Sequence, residues 1–311
     1  MHQNSKIPEP IAYLNSRRIP ADQLAVAPTD AGFMFGVTLA EQCRTFGGRL
    51  FELDQHLDRL LAGLSLLGWS SGVDRDELRR QADEVVAQNF ALLPPTADMG
   101  LTIFVTPGTA ATYRRPDEPS RLTVGVHSYP LPFWLWHRAY QEGQRLMVTQ
   151  YRQVAPYNWP TALKCRSRMH YYLADQAAAR LDPQSKALLL DTTGRVAETS
   201  IANVVGWTRD GRLISPPDEV ALPGISLRVV QQLAHHLGWP FEQRPVELDE
   251  LLDCREVLLT STPYCLLPVV AINGQPIGQG TPGTAYHQLL EQWNHLVGLH
   301  ITDQAQQHAH P

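Results

Sequence analysis

The chain has 311 residues, 43% of them hydrophobic and 18% charged, with a formal net charge of −5. That balance suits a globular enzyme and argues against a nucleic-acid or anionic-membrane partner, because such surfaces select clustered Lys and Arg. The longest basic cluster, Lys164 to Arg168, holds three positive side chains. No run approaches the ~20 apolar residues of a membrane span, and Met1 to Pro10 lacks an apolar signal core, so a cytoplasmic protein is expected. Cys43, Cys165, Cys254 and Cys265 show no CxxC or CxH spacing. They are expected to be reduced thiols, and no metal site is expected. His308 and His310 have no further ligands near them, and Gln304 to Pro311 reads as a frayed tail.

The length exceeds the roughly 250–300 residues at which one core usually stops growing, so two domains are expected. Ile11 to Leu14 reads as a strand, Asn15-Ser16 as a turn and Arg17 to Gln23 as the return. Leu53, Leu57, Leu60, Leu61, Leu64 and Leu67 follow the three-or-four spacing of one helical face, closed by Gly68. Asp74 is placed to cap a second helix, with Leu78, Ala82, Val85, Val86 and Phe90 on its inner stripe. Strands over Leu101 to Thr106 and Arg121 to His127 complete an N-terminal α/β domain, residues 1–128.

Tyr129 to Trp136 has two prolines, two tryptophans and no period, and reads as a packed connection, with 129–139 joining the domains. Residues 140–311 form the larger C-terminal domain: a strand to Tyr151, a loop through Pro160, then Lys164 leading into a helix from about His170 to Leu181. A hairpin turns at Thr192-Thr193-Gly194 and runs into Glu198. Gly224 to Leu237 is helical, Glu256 to Thr262 a strand, Asn273-Gly274 a hairpin turn and Tyr286 to Val297 a final helix.

Taken alone, Lys164 is an ordinary surface lysine. Its approach, Pro160-Thr161-Ala162-Leu163, is apolar, and burial lowers a lysine's pKa and frees the neutral amine for carbonyl attack. In GRVAETSIANVV, Gly194 to Val205, Glu198 is either a strand-end surface group or a carboxylate able to pair with a protonated pyridine nitrogen. ALPGIS sets Leu-Pro-Gly before a helix start, so Ile225 and Ser226 stand at either a plain cap or a phosphate site. Ser261 and Thr262 offer hydroxyls at a strand end, and Arg59 in HLDRL lies off the leucine stripe, either solvated or available to a phosphate.

The order of these weak signals is more specific than any one of them: DAGFMFG with EQCR, HLDRL, an apolar-flanked lysine, AETSIANVV, ALPGIS and TSTPYCLLPV. From about Tyr13 to Trp293 the chain resembles the class IV aminotransferases, the fold-type IV pyridoxal phosphate enzymes. That group includes branched-chain and D-amino acid aminotransferases, R-selective amine transaminases and aminodeoxychorismate lyases. The resemblance implies a homodimer of two-domain α/β (α+β) subunits, with a small N-terminal α/β sandwich and a larger C-terminal pseudo-barrel domain. It implies pyridoxal 5'-phosphate (PLP) bound as a Schiff base to Lys164, Glu198 on the pyridine nitrogen, and Arg59, Ile225, Ser226 and Thr262 on the phosphate. Lys164 is then also the general base that moves the α-proton as an amino group passes between an amino acid or amine and a 2-keto acid.

Several positions depart from the best-known subfamilies. Ala40 stands where an aromatic commonly precedes the glutamate, here Glu41; Val37 replaces an aspartate; Met169 stands where branched-chain enzymes carry a tyrosine, with Tyr171 and Tyr172 slightly later. Pro263 lacks the backbone N–H that some relatives point at a substrate carboxylate. Arg44, Arg152 and Arg168 are candidates for carboxylate binding, although a core or surface salt bridge is the more ordinary role for any one of them. Arg168, four residues after the lysine, is similar to what some lyases carry, so pyruvate release from an aminodeoxychorismate-like substrate is the second expectation. A cofactor-binding protein without turnover is the third.

Overall fold

The computed structural model describes residues 9–94 and 96–309, so most of the polar N-terminal stretch, and His310 with Pro311, lie outside the described residues. Two compact units are present: the chain up to Leu131 together with Lys164–Ser167, and Pro132–Leu163 together with Arg168 onward.

In the first unit β1 (Ile11–Leu14) and β2 (Arg17–Pro20) form a hairpin. Its two turn residues, Asn15 and Ser16, both take positive φ, 51° and 61°, the twist a two-residue hairpin needs. Then follow α1 (Ala31–Phe35), β3 (Leu39–Phe46), β4 (Arg49–Leu50), α2 (Leu53–Leu66), α3 (Arg75–Phe90), β5 (Met99–Thr106) and β6 (Thr123–Pro130). The strands make one antiparallel sheet in the order β2-β1-β6-β5-β3-β4. Strand alternation sends Leu101, Ile103 and Val105 to the same side, where they are fully buried, as are Leu57 and Leu64 of α2 and Ala82 and Val85 of α3. α3 begins where expected, the Asp74 carboxylate accepting the Glu77 N–H at 2.8 Å. α1 and β3 were not assigned from the sequence, because a five-residue helix and an almost wholly buried strand show neither period.

The second unit holds α4 (Ala139–Glu142), β7 (Gln144–Arg152), α5 (Met169–Leu181), β8 (Ser185–Leu190), β9 (Val196–Thr199), β10 (Asn203–Trp207), β11 (Leu213–Ser215), α6 (Ile225–His236), β12 (Phe241–Gln243), α7 (Leu248–Leu252), β13 (Glu256–Ser261), β14 (Cys265–Ile272), β15 (Gln275–Pro276), α8 (Thr284–Val297) and α9 (Ile301–Gln307). Its sheet runs β12-β11-β10-β13-β14-β7-β8-β9, and β9 pairs back onto β10 through Glu198 and Asn203. Six strands therefore close into a ring, a pseudo-barrel, with β11, β12 and β15 as extensions. Along the expected connection, Tyr129 and Pro130 complete β6, Phe133–Leu135 form one 3₁₀ turn, and Tyr140 of α4 is buried with its hydroxyl donating to the Tyr264 carbonyl at 2.8 Å.

The tail is corrected. α9 packs Ile301 and Ala305 at full burial, and Ile301 N–H donates to Asn294 Oδ1 at 3.0 Å. Two small apolar contacts in seven residues are too faint a pattern to read from sequence, and tertiary packing supplies the stability that propensity does not. His308 lies beside the Phe133 ring at 5.9 Å. Among the described residues no group of three or more His, Cys, Asp or Glu is arranged for a metal, and no helix is long and apolar enough to cross a membrane.

Candidate active site

The first unit gathers one set of candidate groups. β3 pairs with β5 along one edge, while β4 covers the other edge only at Thr45 and Phe46. The uncovered beginning of that edge takes the segment carrying Lys164: Ala40 N–H donates to the Lys164 carbonyl at 2.9 Å, Arg166 N–H to the Thr38 carbonyl at 2.8 Å, and Leu39 bridges Cys165. Ser167 Oγ donates to the Gly36 carbonyl at 2.8 Å. Lys164 is thus fixed by main-chain hydrogen bonds at Ala40, one residue from Glu41.

Glu41 is a carboxylate in an otherwise buried strand and is 1% exposed. It is fully committed: Arg59 donates from Nε to Oε1 and from Nη2 to Oε2, both at 2.7 Å, and His56 Nδ1 donates to Oε2 at 2.8 Å. His56 and Arg59 are three residues apart on α2 and so share a face. Burial, the largest influence, raises the Glu41 carboxyl, but the Arg59 charge and the hydrogen bonds from Arg59 and His56 together outweigh it and hold it at about 2. Burial lowers His56 despite the carboxylate beside it, so the neutral ring donates to a charged partner. His56 and buried Cys43 both feel the Lys164 charge. Arg44 is buried in the same strand, its guanidinium 3.9 Å above the Phe46 ring and its Nε donating to the Thr45 carbonyl at 3.2 Å; Ala40 is buried as well.

The second unit gathers the rest. Glu198, at the closure of the barrel, is 6% exposed. Its Oε1 accepts from Tyr171 Oη at 2.6 Å and Gln153 Nε2 at 2.5 Å, and its Oε2 from Leu222 N–H at 3.3 Å. Asn203, across the β9–β10 pair, donates from Nδ2 to the Leu222 carbonyl at 2.8 Å, which fixes the Leu-Pro-Gly bend opening α6. A Cβ at Gly224 would lie 1.9 Å from Asn203 Oδ1, so only glycine allows this approach. The helix then starts with Ile225 and Ser226 buried and no side-chain cap on its first amides. Thr262 is in the turn between β13 and β14 rather than within a strand, and its neighbour Ser261 Oγ donates to the Ile201 carbonyl at 2.6 Å. Arg168 donates from Nη2 to the Ser200 carbonyl and lies 4.5 Å over the Tyr171 ring, and Arg152 Nη1 donates to the Thr149 carbonyl at 2.9 Å.

The structure therefore brings Lys164 to Ala40 and Glu41, Arg59 to Glu41, and Glu198 to the bend before Ile225 and Ser226. Sequence reasoning missed the Glu41–His56–Arg59 cluster, and it missed Gln153 and Tyr171 as partners of Glu198. A lone acid in EQCR and the three-residue offset of His56 from Arg59 were the available signals for the first. Nothing in the sequence marked Gln153.

The profile of the class IV amino-transferases matches residues 38–272, three quarters of the chain. The chain belongs to that family. It is 30% identical over 270 residues to the D-alanine aminotransferase of Bacillus licheniformis, covering 86% of this chain and 90% of that protein. The fold resembles that of the Escherichia coli branched-chain amino acid aminotransferase, with a TM-score of 0.85 and 21% identity over 93% of this chain and 95% of that one. It also resembles the T.th. branched-chain amino acid aminotransferase solved with pyridoxamine 5'-phosphate, with a TM-score of 0.82 and 24% identity over 94% and 95% of the two chains. Class IV aminotransferases use PLP, and the chain is a PLP-dependent aminotransferase that moves an amino group to a 2-keto acid. The relatives do not favour the lyase reading. The residues fit the cofactor: a buried carboxylate met by donors suits a protonated ring nitrogen, and a helix start without a side-chain cap, held by the Gly224–Asn203 contact, suits a phosphate.

Proposed function

We propose that Lys164 is the amine that carries the cofactor and moves the substrate α-proton, and that Glu198 faces the ring nitrogen. Arg59, the first amides of α6 at Ile225 and Ser226, and Thr262 hold the phosphate. PLP supplies the electron sink that makes the α-proton acidic. The chain's own part is to bind, orient and transfer a proton: Lys164 Nζ accepts it from the substrate and returns it one position along. The single observation that carries this reading is the attachment of Lys164 to β3 beside the Glu41–Arg59 pair, which puts the amine and the phosphate-binding arginine on one rigid frame. Of the carboxylate candidates, Arg168 contacts the residues around Glu198, whereas Arg44 is packed over Phe46.

The amino donor we infer is an α-amino acid and the acceptor a 2-keto acid. D-alanine and the branched-chain amino acids are the first donors to test, since relatives are named for them. A homodimer is supported by Phe33 and Phe35 of α1, 73% and 61% exposed in the single chain, an apolar surface that a second copy would cover. A cytoplasmic setting is supported by four cysteines that stand outside any disulfide. The test is spectroscopic. Purified protein with PLP should show the visible band of lysine-bound cofactor, Lys164→Ala should lose it, and a donor amino acid alone should bleach it stoichiometrically. Continued release of pyruvate from an amino donor other than alanine, over many turnovers and without a keto acceptor, would overturn transamination in favour of the lyase.

A further inference from the structure

The network on Glu198 has a direction that its main-chain partners fix. Gln153 Oε1 accepts Val154 N–H at 2.8 Å, and a backbone amide can only donate. The other end of the Gln153 amide, Nε2, must therefore face Tyr171 Oη at 2.9 Å and Glu198 Oε1 at 2.5 Å. His170 Nε2, 3.0 Å from Gln153 Oε1, is then a donor. Because the Tyr171 hydroxyl accepts from Gln153, its own proton goes to Glu198 Oε1 at 2.6 Å. Two neutral donors thus converge on one carboxylate oxygen.

Both donors are placed by packing. α5 lays Ala174 and Ala178, fully buried, against Ala187 and Leu189 of β8, and Tyr171 continues the same stripe one turn earlier. Alanine at those positions lets the helix approach closely, which brings the phenol down to the sheet. Gln153 follows β7 directly and is tied to the end of β8 by its N–H on the Leu190 carbonyl at 2.9 Å. The Tyr171 ring is gripped by His170 at 3.9 Å and by the Arg168 guanidinium at 4.5 Å. Burial above all, then the Glu198 charge, pushes the phenol well above its ordinary range, so it remains a protonated donor.

We propose that Tyr171 and Gln153 are positioning residues that clamp Glu198 Oε1 and so present the carboxylate to the cofactor's ring nitrogen in one fixed orientation. This rests on the assignment of Glu198 to that nitrogen. A clamp of neutral donors orients the carboxylate without itself cancelling the charge, whereas a clamp built from a cation would do both.

The test is a double-mutant cycle between Tyr171→Phe, which removes one hydroxyl and keeps the packing, and Glu198→Gln. Two quantities are read: the equilibrium dissociation constant of PLP added to the cofactor-free protein, and kcat and KM separately for the holoenzyme. Loss of one hydrogen bond to a charged group predicts PLP binding weaker by about ten- to a hundredfold in Tyr171→Phe. kcat should fall by a similar factor, with KM within about twofold of the wild type. On a Glu198→Gln background the same substitution should have almost no further effect, because there is no carboxylate left to orient. Gln153→Leu should repeat the pattern and serves as the second variant. If Glu198→Gln is impaired while Tyr171→Phe and Gln153→Leu match the wild type, the clamp is overturned and the assignment of Glu198 stands. If the losses simply multiply in the double variant, Tyr171 acts elsewhere and the clamp is again overturned. If Glu198→Gln itself changes neither quantity, the assignment of Glu198 fails.

Discussion

Two buried carboxylates, Glu41 in the first unit and Glu198 in the second, are satisfied by opposite means. Glu41 is neutralised within the protein: a forked arginine and a neutral histidine take both oxygens at 2.7–2.8 Å. Glu198 is held by a phenol, an amide and a main-chain N–H, with no cation among those donors. Fixing a charge and cancelling it are separate operations. Cancelling Glu41 builds a rigid mount for Arg59 and for the strand that carries Lys164; the phenol, amide and main-chain donors on Glu198 orient its carboxylate.

The comparison can be broken most decisively at Glu41. Glu41→Ala strands Arg59 as a buried charge without its carboxylate, and about 3–5 kcal/mol of unfolding free energy is expected to be lost. Urea denaturation checks this, and a loss below about 1 kcal/mol would mean that the pair is not structural. Glu198→Gln should behave in the reverse way. It keeps the shape and changes stability by about 1 kcal/mol or less, yet turnover should fall by about a hundredfold or more, as when a site loses one preorganised electrostatic partner. Steady-state rates on the folded holoenzyme decide it.

Acid sharpens the contrast further. The folded Glu41 carboxyl sits at about 2 against an ordinary 4.5, and His56 lies below its ordinary 6.5. Both groups bind fewer protons folded than unfolded across those windows, so stability is full above them and is lost as pH falls, first below 6.5 and then from 4.5 toward 2. Tm against pH should follow that course, and Glu41→Gln should flatten its lower part; parallel curves for the two proteins would refute the link. The smallest effect is expected where ion pairs are exposed. Arg195 and Glu247, paired at 2.7 Å with side chains 45% and 61% exposed, should contribute almost nothing to stability because solvent screens the pair, so Arg195→Ala calibrates how much of the Glu41 effect comes from burial.

Much of this was legible beforehand where the cause is local. The Leu53–Leu66 helix, the Asp74 cap, the Asn15-Ser16 turn and the helix after Leu-Pro-Gly all follow from spacing and turn chemistry within a few residues. α9 and α1 were not legible, since each is short and owes its place to surfaces far away in sequence.

The sequence by itself determined the family, the order of its motifs along the chain and most helices and strands, because periodicity, caps and motif spacing are properties of neighbouring residues. Only the tertiary structure decided what each charged group touches. Arg59, expected off the leucine stripe and open to a phosphate, has its guanidinium forked onto Glu41, 18 residues away. Glu198 is oriented by Gln153 and Tyr171, 45 and 27 residues away, where β7, α5 and β9 meet in one barrel. Hydrogen bonds of that span depend on sheet order and on helix approach, and neither is written in any local run of residues.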